Sequence, residues 1–196
     1  MPVSATRRFS QAISEGDGIS LIARIGNGDD PARLEEQGAE ALLLPRADGP
    51  LERARAATSL PIAVYWRGES SGPPPGADAC VIDADSGREL VEWLEHRGSE
   101  RFELAFRVAD EDEFERLLEE FDPELFVLAA PDAQGEEALE RTLDLLPEVP
   151  AGKLAIAELP ESSRADVSAL ERAGFDGVIV EARRVAELVE DAPPEV

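Results

Sequence analysis

Eight short apolar runs recur along the chain at intervals of 18 to 29 residues, and this spacing restricts the fold more than any other feature of the sequence. They lie at 19–25 (ISLIARI), 41–44 (ALLL), 61–66 (PIAVYW), 79–82 (ACVI), 102–108 (FELAFRV), 125–130 (LFVLAA), 154–159 (LAIAEL) and 178–180 (VIV). Most are continuous rather than alternating, the pattern of parallel strands buried on both faces. Between them, helical periodicity runs over 31–37, 51–58, 87–97, 111–121, 136–146, 164–173 and 183–189. Strands alternating with helices of this length read as βα units.

Several helices carry their own punctuation. Asp30 before Pro31 supplies an N-cap acid and an N1 proline, and Ser86 with Glu89 fits a capping box. One phrase feeds a strand three times: Gly38-Ala-Glu-Ala-Leu-Leu-Leu44, Gly76-Ala-Asp-Ala-Cys-Val-Ile82 and Gly174-Phe-Asp-Gly-Val-Ile-Val180. This is an internal repeat, with a helix C′ glycine and an acid just ahead of the strand. Eight such units in 196 residues predict a single small (β/α)8 barrel over 1–196, near the lower size limit of roughly 200 residues. A flavodoxin-like open sheet is the alternative, but it has fewer strands.

The third unit departs from the repeat. Between Trp66 and Ala79 the chain reads RGESSGPPPGAD, and its three prolines preclude an ordinary helix. A Pro/Gly-rich loop is therefore expected in place of the third helix. That leaves one side of the barrel wall thinly covered, either by the loop itself or by a second copy, and a homodimer through this side is the expectation.

Charge narrows the function classes. With 43 acidic against 19 basic residues the formal net charge is −24, which repels phosphate backbones and anionic lipid surfaces, so neither nucleic acid nor membrane is an expected partner. Cys80, His96 and Lys153 are each the only residue of their type. This excludes an internal disulfide and Cys/His metal sites, and leaves one lysine for Schiff-base or amine acid chemistry. There is no dinucleotide or Walker fingerprint, so no cofactor or metal is expected. Cys80 reads as a small core residue and His96 as a cation at a helix C-terminus. No apolar leader or spanning segment is seen, which makes the cytoplasm the default location.

In such a barrel, chemistry sits at the C-terminal ends of the strands. Arg24, Arg107 and Glu158 share an inward parity there and are expected to meet at the mouth. Two readings stand side by side: a structural ion-pair cluster, or a site for a small anionic or carboxylate ligand. Tyr65 is expected to fill the mouth and Trp66 to pack under the third unit. Asp83 and Asp85 could hold a divalent cation, but Asp85 and Ser86 are better explained as helix-capping residues. Arg183 and Arg184 open the last helix, where barrels of this kind hold phosphate.

At this point the chain resembles a known family. Phe9-Ser-Gln-Ala-Ile13 and Gly18-Ile-Ser-Leu-Ile-Ala23 are similar to the opening and first strand of indole-3-glycerol phosphate synthase. Leu60-Pro61-Ile62, Gly76-Ala-Asp-Ala79, Asp110-Glu-Asp-Glu-Phe114 and Ala173-Gly-Phe-Asp-Gly-Val178 are similar to its later units in the same order. The resemblance implies a decarboxylating ring closure on an anilino-sugar phosphate in tryptophan biosynthesis. It also implies a lysine acid on the third strand, a first-strand glutamate with a following lysine, a fifth-strand and a seventh-strand glutamate, a sixth-strand asparagine, and glycine-rich phosphate loops.

Transferred position by position, these fall on Tyr65, on Arg24 and Gly26, on Arg107 and Glu158, and on Ala129 or Ala130. Only Glu158 is retained. The phosphate loops read Leu159-Pro160 and Glu181-Ala182-Arg183, and Lys153 sits at the bottom of the seventh strand. A phenol with a reference pKa of about 10 replaces a proton donor, and a guanidinium that cannot accept a proton replaces a base. The leading expectation is a degenerate member of that family without its activity. A carboxy-lyase with a site rearranged around Glu158, Arg107, Arg24 and Tyr65, and a non-enzymatic binding or scaffold module, are the alternatives.

Overall fold

The structure, a computed structural model, describes residues 9–16, 18–45, 51–67, 76–86 and 102–189. Among these residues there are eight strands: β1 (Ser20–Arg24), β2 (Ala41–Leu44), β3 (Ile62–Trp66), β4 (Ala79–Asp83), β5 (Glu103–Val108), β6 (Leu125–Ala129), β7 (Leu154–Glu158) and β8 (Gly177–Glu181). Each pairs in parallel with the next, and β1 pairs with β8, so the sheet closes as the expected (β/α)8 barrel.

Around it lie the helices α1 (Phe9–Ser14), α2 (Pro31–Glu36), α3 (Leu51–Ala57), α4 (Glu111–Glu120), α5 (Gly135–Leu145), α6 (Arg164–Ala173) and α7 (Val185–Leu188). Two ends differ from the periodicity. α5 stops at Leu145 and tightens into a 3-10 turn at Leu146–Glu148, because Pro147 has no N–H to continue the ladder and the Leu146 N–H bonds Leu143 O instead. The segment expected as one helix over 183–189 is a 3-10 turn, Ala182–Arg184, followed by the four-residue α7.

The continuous apolar runs serve two cores. Outward-facing Leu42, Leu44, Val64, Trp66, Phe126, Leu128 and Val180 pack under the helices. Inward-facing Ile22, Leu43, Tyr65, Val81, Val127, Ile156 and Ile179 fill the barrel. Cys80 is fully buried in the outer layer. Alternate residues of one strand thus enter different cores, which is why strict polar alternation is missing.

The repeated phrase has a mechanical role. Gly174 closes α6 in the left-handed region at φ 106°, a conformation that a Cβ disfavours, and Gly38 and Gly76 share it at φ 97° and 95°. The acid two residues later extends the neighbouring ladder. Asp176 donates its N–H to Ala155 O at 2.9 Å and its carboxylate accepts from Ala155 N at 2.8 Å. Asp78 does the same with Ile62, and also takes Arg55.

α1 closes the bottom of the barrel. Its Phe9 and Ile13 belong to the inner core with Ala41, Ala63, Ala79 and Ala105, whose short side chains leave room for them. Gly177 also lies against the plug, where an added Cβ would meet Ile13 Cγ2 at 3.5 Å and, more tightly, Ile22 Cδ1 at 3.3 Å. Two hydrogen bonds fix the plug: Ser10 N–H to Glu103 Oε2 at 3.1 Å, and the buried Ser20 hydroxyl to Ile13 O at 3.2 Å.

The proline-rich stretch of the third unit, with the dimer surface expected there, lies at 68–75, outside the described residues; so do the run at 87–97 and His96. Among the described residues no helix is long and apolar enough to cross a membrane.

Candidate functional site at the barrel mouth

The inward parity that carries Ile22, Val81, Ala105, Ile156 and Ile179 in the core carries Arg24, Asp83, Arg107, Glu158 and Glu181 one step higher, at the strand ends. Strand register sets neighbours side by side: Arg24 beside Glu181, and Asp83 beside Arg107. The side chains then link across the mouth. Arg24 Nη2 donates to Glu158 Oε1 and Arg107 Nε to Glu158 Oε2, so one carboxylate is shared by two guanidinium groups. Arg107 Nη1 also reaches Asp83 Oδ1 at 3.3 Å, and Arg24 Nη1 lies 3.7 Å from Glu181 Oε1. The Tyr65 hydroxyl donates to Asp83, and Arg67 stacks over the Tyr65 ring at 5.1 Å. The result is one chain of contacts from β8 through β1, β7, β5 and β4 to β3.

Its electrostatics resist proton exchange. Burial raises the Tyr65 phenol well above its ordinary range, and the hydrogen bond to Asp83 adds to this. Burial acts against the charge on Arg107, but the Glu158 carboxylate more than offsets it and holds the guanidinium protonated. Neither group can serve as a base near neutral pH.

The Tyr65 environment makes a clean prediction, because it is the chain's one tyrosine. The fold favours the neutral phenol, so its folded pKa lies above the unfolded value of about 10. The associated stability is intact below about pH 10 and is lost as the pH rises toward the folded value. Ultraviolet tyrosinate absorbance is expected to appear only with alkaline unfolding, and at lower pH in folded Asp83→Asn. Ionisation near pH 10 in the folded wild type would contradict the buried, hydrogen-bonded phenol.

Beside the cluster opens a cavity of about 600 Å³. Arg24, Arg107 and Glu158 contribute to its lining, and the segments after β6 and β7 supply apolar surface from Ala129, Ala130, Leu139, Leu159 and Pro160. Gln134, Glu161, Ser162 and Asp166 add polar groups. The N-terminus of α6 is already satisfied, since Ser163 and Asp166 form a reciprocal capping box.

The structure therefore brings together Arg24, Tyr65, Arg107 and Glu158. It sets Arg183 and Arg184 apart from the cavity lining. Arg183 pairs with Glu161, while Arg184 donates to Ser162 O at 3.0 Å and pairs with Glu187 at 2.7 Å. Asp83 and Asp85 do not converge, because Asp83 serves Tyr65 and Arg107 while exposed Asp85 lies 3.5 Å from Arg116. Lys153 stays at the bottom, held protonated by Glu124 at 2.7 Å and Asp122 at 2.9 Å. The linking roles of Asp83 and Glu181 are absent from the sequence reading; their parity with Arg107 and Arg24 is the signal that contains them.

No protein-family profile matches the chain. Over 107 residues it is 30% identical to indole-3-glycerol phosphate synthase of Pelodictyon phaeoclathratiforme, a match covering 54% of this chain and 42% of that protein. The matched stretch thus spans less than half the length of this relative. Among solved structures, a candidate lyase/mutase from Burkholderia cenocepacia superposes with a TM-score of 0.63 at 16% identity, covering 92% of this chain and 83% of the other. A mutant tryptophan synthase α-subunit from Pyrococcus furiosus gives 0.60 at 15% identity, covering 86% and 88%. The sequence match supports the resemblance, and the solved structures show the barrel fold.

Proposed function

We propose that this chain is a reduced relative of indole-3-glycerol phosphate synthase that no longer performs that ring closure, its mouth having been converted from a catalytic to a structural and ligand-holding arrangement. The observation that carries this reading is the state of Glu158: both of its oxygens are taken by guanidinium groups. Neither oxygen of a carboxylate so engaged is free to take a hydrogen bond from a substrate. The family's proton donor has no substitute in this chain, since the single lysine is at the opposite end of the barrel. Pro160, which lacks a backbone N–H, lines the cavity on the side where a phosphate would be cradled.

The test is direct incubation of the folded protein with the anilino-sugar phosphate, following the fluorescence of indole-glycerol phosphate. No product above the protein-free blank is expected. Turnover by the wild-type chain would overturn the proposal in favour of a carboxy-lyase rearranged around Glu158, Arg107, Arg24 and Tyr65.

A further inference from the structure

We infer that a cleft at the bottom of the barrel, between α1 and the starts of β5 and β6, binds a planar organic cation, an amidinium or guanidinium, with an apolar body. The cleft encloses about 710 Å³, a size common among small-molecule pockets. It lies at the end of the barrel opposite the mouth, so it stands whether or not ring closure has been lost. Three features carry the inference together. First, every ionisable group that lines the cleft among the described residues is an acid: Glu103 at the start of β5, and Asp122 and Glu124 in the segment before β6. Lys153 pairs with Asp122 at 2.9 Å and with Glu124 at 2.7 Å, so one ammonium answers two carboxylates and none of the described cations answers Glu103. Second, Glu103 is only half used. Its Oε2 accepts from the Ser10 N–H at 3.1 Å, while its Oε1 is buried and accepts from no donor among the described residues. A buried anionic oxygen without a donor is costly, and a ligand N–H offered there removes that cost. The terminal torsion of a glutamate is soft, so a small turn presents this oxygen to the cleft that the side chain lines. Third, the wall beside it is apolar. Phe106 and Phe121 stand with ring centroids 5.2 Å apart, and Leu104 and Pro123 continue the surface. Ring faces attract cations, and an apolar body gains from leaving water there.

The arrangement selects an organic cation over a metal ion. Among the described residues no three acidic, His or Cys side chains converge closely enough to hold a metal, and Glu103 offers a single free oxygen beside aromatic rings rather than a shell of oxygens. A planar, weakly hydrated cation suits this better, because its edge can donate to Glu103 while its face lies against a ring. The Ser14 hydroxyl of α1 donates to Gln11 O at 3.3 Å, which leaves its lone pairs to accept a further ligand N–H. An anion is refused by the same three acids, and the net charge of −24 on the whole chain adds to that.

Benzamidinium, its neutral isostere benzamide, benzoate and Mg²⁺ serve as probes of the intact chain, read by NMR shifts of the Ser10 amide and the Leu104 and Leu154 methyls and by thermal stabilisation. Benzamidinium is expected to bind saturably, with benzamide and benzoate at least about tenfold weaker. Glu103→Gln keeps an acceptor for the Ser10 N–H but removes the charge, and should lower benzamidinium affinity about tenfold or more. Ser14→Trp, at an exposed lining position on α1, should block binding with every charge unchanged. Benzamide binding as tightly as benzamidinium, or no saturable benzamidinium response at millimolar concentration in the folded wild type, would each overturn the inference. The same shifts produced by Mg²⁺ at equal concentration would reduce the site to diffuse attraction by acidic surface, and benzamidinium binding unaffected by Ser14→Trp would place it elsewhere; both outcomes sink the proposal. So would binding that emerges only when Arg7 and Arg8 are both replaced by alanine, since the cleft would then belong to the chain's own arginines.

Discussion

Replacing Glu158 by glutamine is expected to destabilise the barrel by about 3 kcal/mol, measured as a shift of the urea unfolding midpoint at unchanged slope. Its side chain is only 10% exposed, and the two guanidinium groups on it are 18% and 24% exposed. Glutamine keeps the shape but removes the charge, leaving two cations facing each other with weakened acceptors. Breaking a buried pair from one side costs about 3–5 kcal/mol, and the partial exposure of both arginines places the value at the lower end. The asymmetry supplies an internal control. Replacing Arg24, Arg107 and Glu158 together by methionine should cost less than Glu158→Gln alone, because no charge is left uncompensated. A Glu158→Gln effect below about 0.5 kcal/mol would mean that the cluster behaves as solvated surface ion pairs.

Phe9→Ala is expected to cost about 3–4 kcal/mol, or a fall in Tm of roughly 6–15 °C for a chain of this size. Phe9 is 1% exposed and lies in the inner core with Ile13, above strand starts made small by Ala41, Ala63, Ala79 and Ala105. The alanines around it are too short to fill the space. The cavity cost therefore adds to the lost transfer of the ring from water. Leu118→Ala, at the 38% exposed position on the outer face of α4, is the matched comparison and should change stability by less than about 0.5 kcal/mol. Equal effects at the two sites would refute the role of α1 as a plug.

Much of the fold was legible because a parallel barrel is repetitive. The strand positions, the Asp30-Pro31 helix start and the glycine-acid phrase before β2, β4 and β8 are local signals, each set by backbone geometry within a few residues. The plug was not legible. α1 has six residues and carries no acid in its first turn and no base in its last, so nothing in its own sequence announces a helix. A segment this short is unstable alone, and its geometry comes from the barrel floor it fills.

For the mouth, parity pointed to Arg24, Arg107 and Glu158 facing inward, and Tyr65 with them. It did not reveal that Glu158 would be shared by both arginines, that Asp83 would hold the Tyr65 hydroxyl, or that Glu181 would flank Arg24. Nor did it indicate that Arg183 and Arg184 would turn to Glu161 and Glu187.

What the sequence determined by itself was the number and order of the strands, and the face each residue takes, because burial acts on alternating positions of one strand at a time. What only the tertiary structure decided was the partner each charge takes. Once the barrel closes, acids and arginines from five strands and the tyrosine of a sixth come within reach of one another, and register, side-chain length and the space left by small neighbours select among pairings that a linear sequence leaves equivalent.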